Sequence, residues 1–406
     1  MQERGAKRLR LMRFLCVICV IGLLLATGAC TAEAVQDPVA VGAGSPDPVN
    51  DRIFRVATVA EGLQNPWSIA FLPSGEILIT ERPGRLRIVR SGVLDPRPVE
   101  GVPEVRGRGQ GGLMDVLPHP DFESNHLLYM SISKPRDAGR EGTTAVIRGR
   151  FEGGRLRDVE QIFEAQAWTT SVVHLGSRLM FDSERHLFVT VGDAGVDPDL
   201  LARHPAQDRS NHFGTIVRLH DDGRVPADNP FVGRTPFLPE IWSFGHRSLL
   251  GLALDPYTGN IWESESGPQA GDEINLIEGG RNYGWPVIGY GVNYGTARVP
   301  IHHGSARDGM EQPRAYWIES VAPSGLMVYT GDEFSTWQGD LFAGSLAGER
   351  LIRLTLEGDR VVEQHVVLDD LGRIRDVREG PDGLIYVAID SQSGGLTRVL
   401  RLEPGE

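Results

Sequence analysis

The chain has 406 residues, 50 of them glycine and 26 proline, with 40% hydrophobic and 23% charged residues. That composition excludes wholesale disorder, and its turn-forming residues favour many short strands over long helices. A formal net charge of -13 argues against nucleic acid as a partner and against polybasic docking to anionic lipid.

The N-terminus reads as an address. Arg4, Lys7, Arg8, Arg10 and Arg13 stand against Glu3, an apolar run follows over 14–25, and then come Ala26-Thr27-Gly28-Ala29. This is the layout of a signal peptide over 1–29, with a run too short to span a membrane, so the protein is expected to be exported to a periplasmic or other extracytoplasmic space. Cys30 after Gly28-Ala29 resembles a lipoprotein cleavage site, although Thr27 stands where an aliphatic residue is usual; the alternative is plain cleavage without a lipid anchor. Cys16, Cys19 and Cys30 are all the cysteines there are, so the folded domain can hold neither an internal disulfide nor a Cys-x-x-Cys-His haem site. Residues 30–51 read as a flexible tether and 52–406 as one domain.

Within that domain a repeat appears. A turn of proline, aspartate or glycine feeds a strand of alternating character at 72–79, 118–130, 182–189, 255–262, 331–342 and 380–387. Spacings of roughly 45–75 residues suit a four-stranded blade with insertions. Six copies predict an all-β, six-bladed β-propeller, with a β-sandwich as the alternative. Function is expected where long loops converge on the channel mouth, within 193–240 and 264–325.

Several motifs are specific. They include Gly109-Gln110-Gly111-Gly112-Leu113, His174-Leu175-Gly176-Ser177-Arg178-Leu179 with Val191-Gly192-Asp193, and Ile241 to Arg247. Ser264-Glu265-Ser266-Gly267-Pro268 with Gly271-Asp272-Glu273, Asn282-Tyr283-Gly284-Trp285-Pro286 and Arg373-Ile374-Arg375-Asp376-Val377 follow. In order over 53–402, this set resembles the soluble glucose/sorbosone dehydrogenases that depend on pyrroloquinoline quinone (PQQ), in their aldose sugar dehydrogenase branch.

The resemblance implies roles for single residues. His174 matches the family's general base, a task that suits an imidazole near neutral pH; taken alone it reads rather as a structural histidine bonding a backbone carbonyl. Arg247 matches the arginine facing the quinone oxygen, where a fixed cation stabilises developing negative charge; alone it could be an ion pair between blades. The family continues Arg-Asn-Pro-Gln, whereas here Arg247-Ser248-Leu249-Leu250 follows, which puts Ser248 at a cofactor-binding position. Gly267 and Pro268 match the pair whose carbonyls hold the calcium bound to PQQ, and Glu273 and Tyr283 match a second calcium site.

Arg373 and Arg375 alternate on one strand and so share a face. The resemblance pairs them with PQQ carboxylates; the alternative is an exposed charged strand. Gln110 matches a polar contact to cofactor or substrate. The family lysine of the fifth blade is missing from 344–348, where Ala347 stands. Trp168 and Trp317 could stack on sugar or cofactor, or pack inside blades.

The function so implied is PQQ- and calcium-dependent oxidation of an aldose at its anomeric carbon to the lactone. Electrons would pass to an external quinone or cytochrome. The alternatives are a calcium-dependent propeller hydrolase such as a lactonase, or a cofactor-less propeller that binds a glycan or protein.

Overall fold

Each of the six repeated turns joins the first and second strands of one antiparallel sheet in the computed structural model, which describes residues 38–41, 45–46, 54–294 and 302–405. The expected signal peptide and Cys30 lie outside those residues. Among the described residues the strands form six sheets. The innermost strands are Pro66–Phe71, Leu113–Pro118, Gly176–Phe181, Leu249–Leu254, Pro323–Val328 and Arg373–Glu379. They contact one another in that order, and the sixth returns to the first, so the sheets are the blades of a β-propeller.

Closure is made by the chain ends. Phe54–Gln64 pairs antiparallel with Leu396–Pro404, Phe54 opposite Pro404 and Gln64 opposite Leu396, and so completes the last blade. Two stretches within the expected tether are paired. Val39–Val41 pairs parallel with Ala315–Trp317 at the rim of blade four, and Ser45–Pro46 pairs with His365 and Val366 at the rim of blade five. Outer strands offer unpaired backbone groups, and these segments satisfy them.

One irregularity recurs in all six blades. The register between first and second strand shifts just after the inner strand begins, at Trp67, Met114-Asp115, Ser177-Arg178, Leu250, Ser324-Gly325 and Arg375. Such bulges re-aim side chains, here around the propeller axis. Trp67, Met114, Leu175, Leu250 and Leu346 form one apolar cluster drawn from five blades. Against it lies an ion network. Asp115 and Asp376 pair with Arg178 at 3.4 and 3.0 Å and with Arg378 at 3.1 Å each, and Arg178 lies 4.3 Å from the Trp67 ring centre.

Candidate active site

His174 precedes the inner strand of blade three and holds a left-handed backbone, φ 50°. A non-glycine residue there is strained and persists only where its surroundings fix it. Its N–H donates to Gln110 Oε1 (2.7 Å), and its carbonyl accepts from Ala194 N–H (3.1 Å). Gly192 must lack a side chain, because a Cβ would lie 2.1 Å from the His174 carbonyl oxygen.

The imidazole Nδ1 lies 2.8 Å from Asp193 Oδ1, which also accepts from Gly195 N–H at 2.8 Å, while Asp193 Oδ2 accepts from Trp285 Nε1–H at 2.8 Å. Burial alone would raise the Asp193 carboxyl, but its hydrogen bond to His174 and the charge of Arg247 bring it below the usual aspartate range. An ionised Asp193 only accepts, so Nδ1 carries the proton and Nε2 is the basic nitrogen. The Asp193 N–H in turn donates to the Arg247 carbonyl at 2.9 Å, tying base and cation together.

His174, Asp193, Arg247, Pro268, Trp285 and Tyr294 line one pocket of about 530 Å³, a size suited to a small ligand. Arg247 lies 5.2 Å from the Trp285 ring centre, and its Nη2 donates to the Tyr294 hydroxyl at 3.0 Å. Its Nη1 donates to the carbonyls of Ser266 (2.7 Å) and Gly267 (2.6 Å). The Gly267 carbonyl, expected as a calcium ligand, is therefore already engaged by a cation. The loop is held from behind by Asp272, which accepts from the N–H groups of Gly267, Val321 and Ala322 and from Ser320 Oγ.

All four expected metal residues meet at a neighbouring cavity, where Gly267, Pro268, Glu273 and Tyr283 stand with Arg247 and Glu265. The Tyr283 hydroxyl is taken, donating to the Leu276 carbonyl (2.6 Å) and accepting from Glu278 N–H (2.9 Å), so only its main chain could serve an ion. Beside the cavity Asn275 Nδ2 donates to Glu263, Glu265 and Glu273. Burial and mutual repulsion push the Glu263 and Glu273 carboxyls well up. Glu263 Oε1 and Asn275 Oδ1 are buried without a partner. This oxygen-rich set suits a hard cation.

Around the mouth, Arg375 Nη2 donates to Asp390 Oδ2 at 2.8 Å, and Arg373 Nη1 donates to the Leu346 carbonyl at 2.9 Å. A third guanidinium, Arg82, joins them through Asp390 Oδ1 at 3.3 Å. Ser248 is buried beside Arg247, and its carbonyl accepts from Ser266 N–H at 3.1 Å. The two expected stacking residues lie elsewhere. Trp317 is fully buried and donates to Gln364, and Trp168 lies under the Arg136 guanidinium. The tryptophan at the pocket is Trp285.

Asp193, Glu265 and Trp285 sit in the motifs, yet nothing in their spacing announces these roles. Arg82 carries no signal beyond its charge.

Residues 63–398 match the family model described as Glucose / Sorbosone dehydrogenase. The chain is 40% identical over 349 residues to aldose sugar dehydrogenase YliI of Escherichia coli, covering 85% of this chain and 92% of that one. A solved glucose dehydrogenase is 44% identical, with a TM-score of 0.80 over 87% of this chain and 99% of that one. The PQQ-bound aldose sugar dehydrogenase of Streptomyces coelicolor is 28% identical, with a TM-score of 0.69 over 87% and 99%.

Proposed function

The chain belongs to the glucose/sorbosone dehydrogenase family, and from that premise we propose that it oxidises an aldose at the anomeric carbon to the lactone, using PQQ and calcium. The observation that carries this reading is the His174–Asp193 pair, facing Arg247 across one pocket.

The site's own residues fit both groups. For PQQ, a polycarboxylate, Arg373 and Arg375 offer cationic donors and each keeps a buried Nε–H without an acceptor. For calcium, the Gly267 and Pro268 main chain with the Glu265 and Glu273 carboxylates are hard oxygen ligands, although a cation at Gly267 competes with Arg247 for the carbonyl. When bound, the quinone would accept the hydride leaving the sugar, and calcium would polarise it as a Lewis acid.

The protein supplies the rest. His174 Nε2 takes the proton of the anomeric hydroxyl, and Asp193 stabilises the imidazolium that forms and fixes its orientation. Arg247, preorganised by its carbonyl contacts and by Tyr294, stabilises negative charge across the pocket. Trp285, pinned by Asp193, gives the sugar a rigid apolar wall.

A lactonase reading needs carboxylates converging on an axial cation. The axial carboxylates Asp115 and Asp376 are instead paired with Arg178 and Arg378, which favours the oxidative reading.

The test is to reconstitute the purified protein with PQQ and calcium and follow dye reduction with a panel of aldoses. Sugar-dependent reduction that requires both additives supports the reading; turnover indifferent to PQQ would refute it.

A further inference from the structure

Arg82 follows the second strand of blade one, Ile77–Glu81. Its Nη1 donates to the Gly109 carbonyl at 2.6 Å and its Nη2 to Asp390 Oδ1 at 3.3 Å. Asp390 also accepts from Asn65 Nδ2 (2.9 Å), from its neighbour Ser391 N–H (2.8 Å) and from Arg375. Three guanidiniums thus surround one carboxylate. The Nε–H of Arg82, of Arg373 and of Arg375 is in each case buried with no acceptor.

Buried donors are normally paired, and like charges in a partly dry site repel. Burial, with the charges of Arg375 and Arg373, lowers the Arg82 guanidinium, and burial with Arg375 lowers that of Arg373. Even with the exposed Glu349 acting on Arg373, the arrangement keeps a surplus of positive charge and three idle donors, and it is complete only when an anion enters it. The cluster also adjoins the base, since Gly109 receives Arg82 and the next residue, Gln110, holds the His174 amide.

We propose that Arg82 is a third anchor of a polycarboxylate site shared with Arg373 and Arg375. The ligand class is a compact di- or tricarboxylate held by charge-assisted bonds. Resting on the proposed function, this ligand is PQQ; the same chemistry is met by a free tricarboxylate.

The test is equilibrium binding to the calcium-loaded full domain, by calorimetry, of PQQ and separately of benzene-1,3,5-tricarboxylate. Arg82→Gln should weaken PQQ binding by about 10- to 100-fold. It should also flatten the salt dependence of binding, which a purely structural role would leave alone. Arg82→Lys should cost about 3- to 10-fold, because a lysine keeps the charge and loses the fork; it decides the matter if Arg82→Gln does not fold. PQQ affinity within about twofold of wild type in Arg82→Gln, or in Arg82→Lys when Gln does not fold, overturns the proposal. If wild type binds the tricarboxylate with this Arg82 dependence but not PQQ, the anion site stands and the cofactor reading falls. If it binds neither, both fall.

Discussion

Two clusters of arginine and aspartate, one drawn from the inner strands of blades two, three and six and one from the inner strand of blade six with the ends of the second strands of blades one and six, are balanced differently. On the axis, Asp115 and Asp376 face Arg178 and Arg378, two charges of each sign, with Arg178 and both aspartates almost fully buried. At the mouth, Arg82, Arg373 and Arg375 surround Asp390, and the exposed Glu349 adds its charge at Arg373. The axial set leaves one guanidinium nitrogen idle, Arg178 Nη2, whereas the mouth leaves three. Burial of arginine therefore does not mark a binding site. Imbalance does, because a neutral cluster needs nothing further, while surplus charge and idle donors are stabilised by a ligand.

The contrast can be broken by asking which property each region loses. His174→Ala at the mouth should lower turnover by about 10²- to 10⁴-fold at a smaller stability cost of about 1–2 kcal/mol, since Asp193 keeps its bonds to Gly195 and Trp285, measured by dye reduction beside calorimetry. Arg178→Met on the axis should do the reverse. It leaves two buried aspartates to share Arg378 and should cost about 3–5 kcal/mol in urea unfolding. A loss of activity in folded Arg178→Met comparable to that of His174→Ala would erase the distinction.

Smaller effects sharpen it. Calcium at about a hundredfold excess over its Kd should stabilise the apoprotein by about 2.7 kcal/mol in thermal unfolding, and a chelator should remove that gain. Asp390→Asn takes the buried counter-charge from three guanidiniums and should destabilise the apoprotein by about 1–3 kcal/mol, with a tricarboxylate restoring part of the loss.

The mildest test is acid. Burial would raise Asp390, but Arg375 and Arg82 outweigh it and hold the carboxyl below its ordinary value. A depressed carboxyl binds its proton less readily folded than unfolded. Its stabilisation is therefore complete above the ordinary aspartate pKa of about 4 and fades as pH falls through the lowered folded value. Thermal unfolding in that window should depend less steeply on pH in Asp390→Asn than in wild type.

Much of this was legible locally. A turn such as Leu72 to Gly75 closes through its own backbone, Gly75 N–H to the Leu72 carbonyl at 2.8 Å, so its signal lies within a few residues. Repeating such turns six times was enough to read the propeller. His174, Arg247, Gly267 and Arg375 stand out as candidates because the motifs around them are short and contiguous. The pairing of Val39–Val41 has no local signal, because these few residues pair only when the rim of a distant blade offers an edge.

What the sequence by itself determined, then, is the repeat, the strand alternation and the residue types gathered in each motif, all properties of near neighbours. Tertiary structure alone decided which of those residues meet. Arg82 reaches Asp390 across 308 positions and Arg378 reaches Asp115 across 263. Bulges that composition does not announce fall at Asp115, Arg178 and Leu250 around the axis and at Arg375 at the mouth. The physical reason is that the sign and surplus of charge in a cluster depend on all its members at once, and a closed ring of blades brings members together that no local pattern connects.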